Sequence, residues 1–407
     1  MSAGLAHPQR ALTHAVEIHM ADLATSLTVR ILGSDGGSRR PAEAFANACK
    51  LSTQWTGSRP CADPKAKIRN CEFTSAVALS LGVPVECCVR AAGAEMQGAM
   101  AGQLDPYGDE ITGVIRPGNP WITQHNYLAD TMTASMRRAR MAVRTELHGY
   151  FTAHLPAEAL NRYDRQTYGE RGRDRSFTTA RRIRGDIVLD FQATEEGAGG
   201  VPVNADVKTL HHGRAARNAG YYDRSTRSGV YGQPGFIRAV DLRSAAVPTQ
   251  YRRHADKIDQ QYAGGNPGGT AGPVARAVLE AEVVGMSFGA HGEACGNVHA
   301  LLSRIAEASA ATHWRVMGCL EEADARAVAS WTLRRDWGMA AFRANGRLLA
   351  GNMQLVGGVD ARHFAEADEF ARDGALFSGA GLDAYEFAVA NRPQHAPAPS
   401  VPGFGLR

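Results

Sequence analysis

The chain has 407 residues, 45 Lys+Arg against 41 Asp+Glu, a formal net charge of +4 and 44% hydrophobic residues. That apolar fraction excludes a wholly disordered chain, and the length allows one large domain or two to three ordinary ones. The longest uncharged apolar run, about Thr74 to Val85, is too short to span a bilayer, and Met1 to Leu23 lacks the apolar centre and cleavage site of a secretory signal.

The weak helical pattern of residues 1–30 ends at Gly33-Ser-Asp-Gly-Gly-Ser38, and a short helix follows Pro41 over 41–50. Gly57 to Pro64 reads as a loop. Phe73, Val77 and Leu81 are spaced as one helix face. Residues 86–120 show little periodicity and carry two turn signals, Asp105-Pro-Tyr-Gly-Asp109 and Pro117-Gly-Asn-Pro120. A long helix is predicted from about His125 to Val143, with Leu128, Met132, Met136 and Ala139 on one face. Arginines crowd its C-terminal end, where positive charge suits the helix dipole.

Val143 to Phe151 tolerates a strand, and residues 160–182 read as a polar, Arg-rich loop. Asp186 to Phe191 and Val201 to Leu210 read as two strands joined by a Gly-rich turn, which is a hairpin. Residues 211–247 read as one long connection. Tyr251 to Tyr262 and Val274 to Leu279 are helical, Ala281 to Phe288 is a strand, and Val298 to Ser309 and Glu321 to Phe342 are helices. Trp314, Trp331 and Trp337 are most simply core. Residues 391–407 hold four prolines and read as a disordered tail. The order of helix, strand, strand, strand, helix, strand, helix predicts an α/β (α+β) fold, a mixed β-sheet flanked by helices.

Only five of the basic residues are lysines, so each stands out. Asp206 and Lys208 are two apart on a predicted strand and therefore project to one face. A hairpin brings Asp186, twenty residues upstream, beside them. Two neighbouring carboxylates suit a hard divalent cation such as Mg²⁺ (or Mn²⁺), which lowers the pKa of a bound water and offsets charge on a phosphate. A lysine beside them can orient that water. The other such triplet, Asp63-Pro64-Lys65, lies in a loop without a partner acid. A solvent-facing Asp/Lys pair on a surface strand is the plain alternative.

Arg184-Gly-Asp-Ile-Val-Leu-Asp190 followed by Val203-Asn-Ala-Asp-Val-Lys208 resembles the PD-(D/E)XK restriction-like endonuclease signature. More narrowly, residues 72 to 356 are similar to the C-terminal tail of reverse-transcriptase-containing retroelement proteins of algae and other protists. The matching pieces are Glu72-Phe73 with Leu81-Gly-Val-Pro84, Leu104 to Asp109, His125 to Asp130, Val143 to Glu146, the two hairpin strands, Tyr251 to Tyr262, and Gly285 to Gly292. The resemblance implies a restriction-endonuclease-like α-β-β-β-α-β core with Asp186 and Asp206 as metal ligands and Lys208 as the catalytic lysine. It makes Glu146 an auxiliary acid and sets Lys257, a further catalytic candidate, and Tyr262, a nucleic-acid contact, near the scissile phosphate. Asp190, on the same face as Asp186, is the alternative ligand. Gly185 stands where the family has proline.

The implied layout is a helical N-terminal segment (1–50), a degenerate knuckle and linker (51–120), the nuclease core (121–310), a helical C-terminal extension (311–390) and the tail (391–407). The knuckle departs from the family pattern at Cys87-Cys88, Glu110 and Val114, and a closed zinc site needs four ligands, so no zinc is expected there. No Tyr-x-Asp-Asp or Phe-x-Asp-Asp motif occurs, which makes a reverse transcriptase a separate partner.

The expected substrate is DNA, or an RNA/DNA hybrid, cleaved or nicked by a metal-dependent endonuclease. The alternative is a catalytically inactive nucleic-acid-binding remnant of such an element. Arg171, Arg173, Arg175, Arg181, Arg182 and Arg184, with Arg214 and Arg217 beyond the hairpin, are the candidate phosphate contacts. Seven scattered cysteines suggest reduced thiols and an intracellular protein, nuclear if active, with no membrane partner. His211 and His212 could assist a metal or phosphate, but the reading taken is ordinary surface. Gly264 to Gly272 lacks the ending of a phosphate loop. His291-Gly-Glu-Ala-Cys295 reads as packing or a turn.

Overall fold

The computed structural model describes residues 40–54, 70–96, 102–113, 120–147, 189–195, 203–213, 220–229, 235–262 and 271–353, with positions 68, 154–155, 157–158 and 356 besides. The N-terminal helical pattern, the 57–64 loop, the Arg-rich segment 160–182 and the proline-rich tail lie outside the described residues.

Among the described residues the protein is a mixed α/β fold of eleven helices and one four-stranded sheet. Five short or medium helices come first: α1 (Arg40–Asn47), α2 (Lys50–Gln54), α3 (Asn70–Leu81), α4 (Glu86–Arg90) and α5 (Asp109–Gly113). The long α6 (Pro120–Arg138) leads into strands β1 (Met141–Leu147), β2 (Leu189–Glu195) and β3 (Val203–Thr209). Helices α7 (Gly220–Ser228), α8 (Ala239–Tyr262) and α9 (Pro273–Ala281) precede β4 (Val283–Phe288). Helices α10 (Gly296–His313) and α11 (Glu322–Asn352) follow. No helix among them is long and apolar enough to cross a membrane.

The sheet order is β1-β2-β3-β4. β1 and β2 pair antiparallel, as do β2 and β3, while β3 and β4 run parallel. A parallel pair needs a crossover rather than a tight turn, and α7 to α9 supply it. One sheet face carries Met141, Ala193, Ala205, Val207, Met286 and Phe288 into the main core. Leu128, Met132 and Met136 of α6 are buried against it, as their spacing predicts. Val298, Leu301 and Ile305 of α10 and Leu333 and Trp337 of α11 complete that layer.

On the opposite face α8 lies directly on β4. A Cβ on Gly285 would come within 2.7 Å of both the Ser244 carbonyl oxygen and Val247, so this close approach requires glycine. The outward edge of β4 is closed by the chain's own groups. The Gly285 carbonyl accepts from Ser244 Oγ (2.7 Å) and Asn297 Nδ2 (3.2 Å). The Ser287 carbonyl accepts from the Cys295 N–H (3.0 Å), and the Gly289 N–H donates to the Glu293 carbonyl (2.8 Å).

Helix α11 is nearly all buried from Trp337 to Asn352. It packs on α2, α3, α6 and α10, and a helix covered on all sides needs small residues where neighbours come close. At Gly346 a Cβ would lie 2.3 Å from the Glu72 carbonyl oxygen of α3.

Several expectations are corrected. The supposed loop 211–247 contains α7 and the start of α8, and the aperiodic 86–120 contains α4 and α5. Tyr222 and Ser225 are the buried residues of α7, a partly polar inner face that hydrophobic periodicity misses. β2 is described from Leu189, so Asp186 falls outside the described residues and Asp190 inside the strand. Trp337 is core, but Trp331 is 47% exposed and stacks under Arg335 instead.

Candidate functional site

β3 is a buried strand: Asn204, Ala205, Asp206 and Val207 are all enclosed. A buried carboxylate is costly unless paired. Asp206, 2% exposed, accepts a hydrogen bond on Oδ1 from the Lys208 ammonium, whose side chain is 28% exposed. The pleat therefore does what the two-residue spacing implies, with the carboxylate inside and the ammonium reaching it from the rim. Asn204, on the same face, accepts from Gln192 Nε2 (2.8 Å) and donates to the Ala281 carbonyl.

The register extends this face across the sheet. Asp206 pairs with Gly285 of β4. Phe191 pairs with Ala205, so one step along that register sets Asp190 opposite Asp206. Thr145 pairs with Phe191 and Leu147 with Leu189, which leaves Glu146 opposite Asp190 between them. Glu146, Asp190 and Asp206 thus occupy one row of three adjacent strands. The backbone register sets three acid positions in one row, one pleat from Lys208, and carboxylates are the donors a hard divalent cation takes.

The other predicted residues are more scattered. Lys257 is exposed on α8 next to buried Ile258, and Tyr262 is the last residue of that helix. Arg171, Arg173, Arg175, Arg181, Arg182, Arg184, Arg214 and Arg217 lie outside the described residues, as does Val114 of the knuckle. Cys88 is buried with its thiol 3.8 Å from the Met353 sulfur.

A second polar cluster forms where β3 and β4 end. Parallel strands deliver their C-terminal ends to the same rim, and the Leu210 N–H donating to the Phe288 carbonyl (2.9 Å) joins the two exits there. His211 and His212 leave β3 at this rim, and His291 lies just past β4. The surface reading of the histidine pair is overturned: both are enclosed. His212 Nε2 lies 3.1 Å from His291 Nε2 and 3.3 Å from Glu43 Oε1 of α1. His291 Nε2 lies 3.6 Å from the same carboxylate oxygen.

The surroundings fix these rings. His291 Nδ1 is 2.6 Å from the Leu79 carbonyl oxygen. The Tyr222 ring stacks on His212 at 3.8 Å, and its hydroxyl donates to Glu293 Oε1 (2.6 Å) and accepts the Ala290 N–H (2.7 Å). His211 Nε2 faces Gln124 Oε1 (3.0 Å), Gln124 donates to Asn345 (2.6 Å), and Asn345 donates to the carbonyls of Gly289 and Ala290.

Burial pushes His211 down to about 4. Burial, with the neighbouring His291, Arg40 and His211, holds His212 well below the ordinary histidine value. Burial also pulls on His291, but its hydrogen bond to Glu43 and the charges of Glu293 and Glu43 outweigh it, so that ring lies above the ordinary value.

This cluster was hidden in the sequence because its members are far apart in the chain. The usable signal was that two predicted strands each end in histidines, which meet only if those strands are parallel neighbours. Among known proteins, no family model matches this chain, no curated protein matches it, and no solved structure matches it.

Proposed function

We propose that the chain is a metal-dependent endonuclease of the PD-(D/E)XK type that cleaves or nicks DNA. The observation that carries the reading is the contact of Lys208 with buried Asp206 on the face where Asp190 and Glu146 share a register row. The order of one helix, three strands, crossover helices and a parallel fourth strand supports the restriction-endonuclease-like core.

The donor set fits a hard cation, since the row offers carboxylates and no sulfur or imidazole. Asp206 with Asp186, or with Asp190 as the alternative second ligand, would hold Mg²⁺ or Mn²⁺, with Glu146 the auxiliary acid. A cation there would acidify a bound water and offset charge on the phosphate. Lys208 orients the attacking water with an ammonium already anchored by Asp206. Lys257 is a further catalytic candidate, and the arginines before and after the hairpin, with Tyr262, belong to the proposed DNA contacts. A DNA or RNA/DNA hybrid substrate, a nuclear compartment and a separate reverse transcriptase are parts of the same proposal.

The test is nicking of supercoiled plasmid by the full chain with Mg²⁺ or Mn²⁺. Asp206→Asn and Lys208→Ala should each lower the rate by about 100-fold or more, and chelation should abolish it. Asp190→Asn against Asp186→Asn identifies the second ligand. Activity that persists in both Asp206→Asn and Lys208→Ala, or with chelator, refutes the assignment. Salt-sensitive DNA binding without nicking under either metal replaces it with the inactive remnant.

A further inference from the structure

We propose that Glu43, His212 and His291 form a second metal site, distinct from the acid row of the sheet, that takes zinc with three protein ligands and a water in the fourth position. The three donor atoms are 3.1, 3.3 and 3.6 Å apart. A tetrahedral zinc with bonds of about 2.0–2.2 Å has ligand-to-ligand edges of about 3.3–3.6 Å. The trio therefore already describes one face of the required tetrahedron.

The ring of His291 shows which atom is offered. A carbonyl oxygen can only accept, so Nδ1 beside the Leu79 carbonyl carries a proton. In the neutral ring Nε2 then keeps its lone pair, directed at His212 and Glu43. A metal-bound histidine is ordinarily held in this way, its second nitrogen donating to a backbone carbonyl or carboxylate. His291 is 4% exposed and His212 8%, which shields the ring nitrogens from bulk water.

The donor chemistry selects the ion. Two imidazoles and one carboxylate suit zinc or a related transition metal, whereas magnesium prefers oxygen alone. The ligands come from α1 and from the exits of β3 and β4. An ion here would clamp α1 onto the carboxyl rim of the parallel pair, so binding energy would appear as folding energy.

The test uses the full chain, stripped with chelator and reloaded with Zn²⁺, and with Co²⁺ as a coloured probe. One zinc per chain should survive desalting, the cobalt form should show the visible bands of four-coordinate Co²⁺, and zinc should raise the thermal midpoint. Glu43→Gln, His212→Gln and His291→Ala should each weaken zinc binding by about 100-fold or more, while Asp206→Asn keeps full zinc content. If His291→Ala does not fold, the near-isosteric Glu43→Gln gives the same readout. A folded wild-type chain that holds less than one-tenth of an equivalent of zinc overturns the proposal. So does zinc content unchanged in folded Glu43→Gln and His212→Gln.

Discussion

Acid should destabilise this protein through His211 in particular. The ring is buried, and its nitrogen lies against Gln124 in a chain of amides that ends on the carbonyls of Gly289 and Ala290. Burial lowers its pKa from 6.5 to about 4. The unfolded chain therefore takes up a proton at this residue below about pH 6.5, and the folded chain only near 4. Between those values the unfolded state binds more protons, so stability falls as pH falls. Each pKa unit is about 1.4 kcal/mol, which makes the loss from pH 7.5 to pH 5 about 2 kcal/mol, and about 3 once both states are protonated. His212 is displaced in the same direction and His291 in the opposite one, so the comparison must isolate one ring. His211→Gln can keep a donor toward Gln124 and cannot titrate. Urea unfolding of wild type and His211→Gln at pH 7.5 and 5.0 should show the variant losing about 2 kcal/mol less. Equal losses in the two proteins would refute the reasoning.

Two further changes probe packing and polar burial. Gly346→Ala places a methyl 2.3 Å from the Glu72 carbonyl oxygen and 3.0 Å from Ala76 Cβ. Such overpacking should cost about 1–3 kcal/mol, visible as a lower thermal midpoint; an unchanged midpoint would mean that α11 and α3 separate without cost. Tyr222→Phe removes the hydroxyl that donates to fully buried Glu293 and accepts the Ala290 N–H. Leaving those groups short of a partner should cost about 1–3 kcal/mol in urea unfolding, and a neutral result would show that water replaces the hydroxyl.

Local pattern carried the parts of the fold that bury apolar side chains at regular spacing. The stripe Leu128, Met132 and Met136 is buried in α6, and the runs around Val207 and Met286 are adjacent strands. Asp206 and Lys208 were legible as a pair because the two-residue repeat of a strand is strict. Helix α7 was not, because Tyr222 and Ser225 turn a polar side inward to bind Glu293 and the Ile237 carbonyl. The meeting of Glu43, His212 and His291 was out of reach for a different reason. It depends on β3 and β4 being parallel neighbours and on α1 docking at their shared end, and neither fact is written within any short window of residues.

The closed rim of β4 has a consequence for how the molecule meets others of its kind. An uncovered strand is a template on which a second chain can add its own backbone. At β4 the positions a newcomer would use, from Gly285 to Gly289, are already taken by Ser244, Asn297 and the returning segment at Glu293 and Cys295. Continuous growth of the sheet across copies is barred from that side.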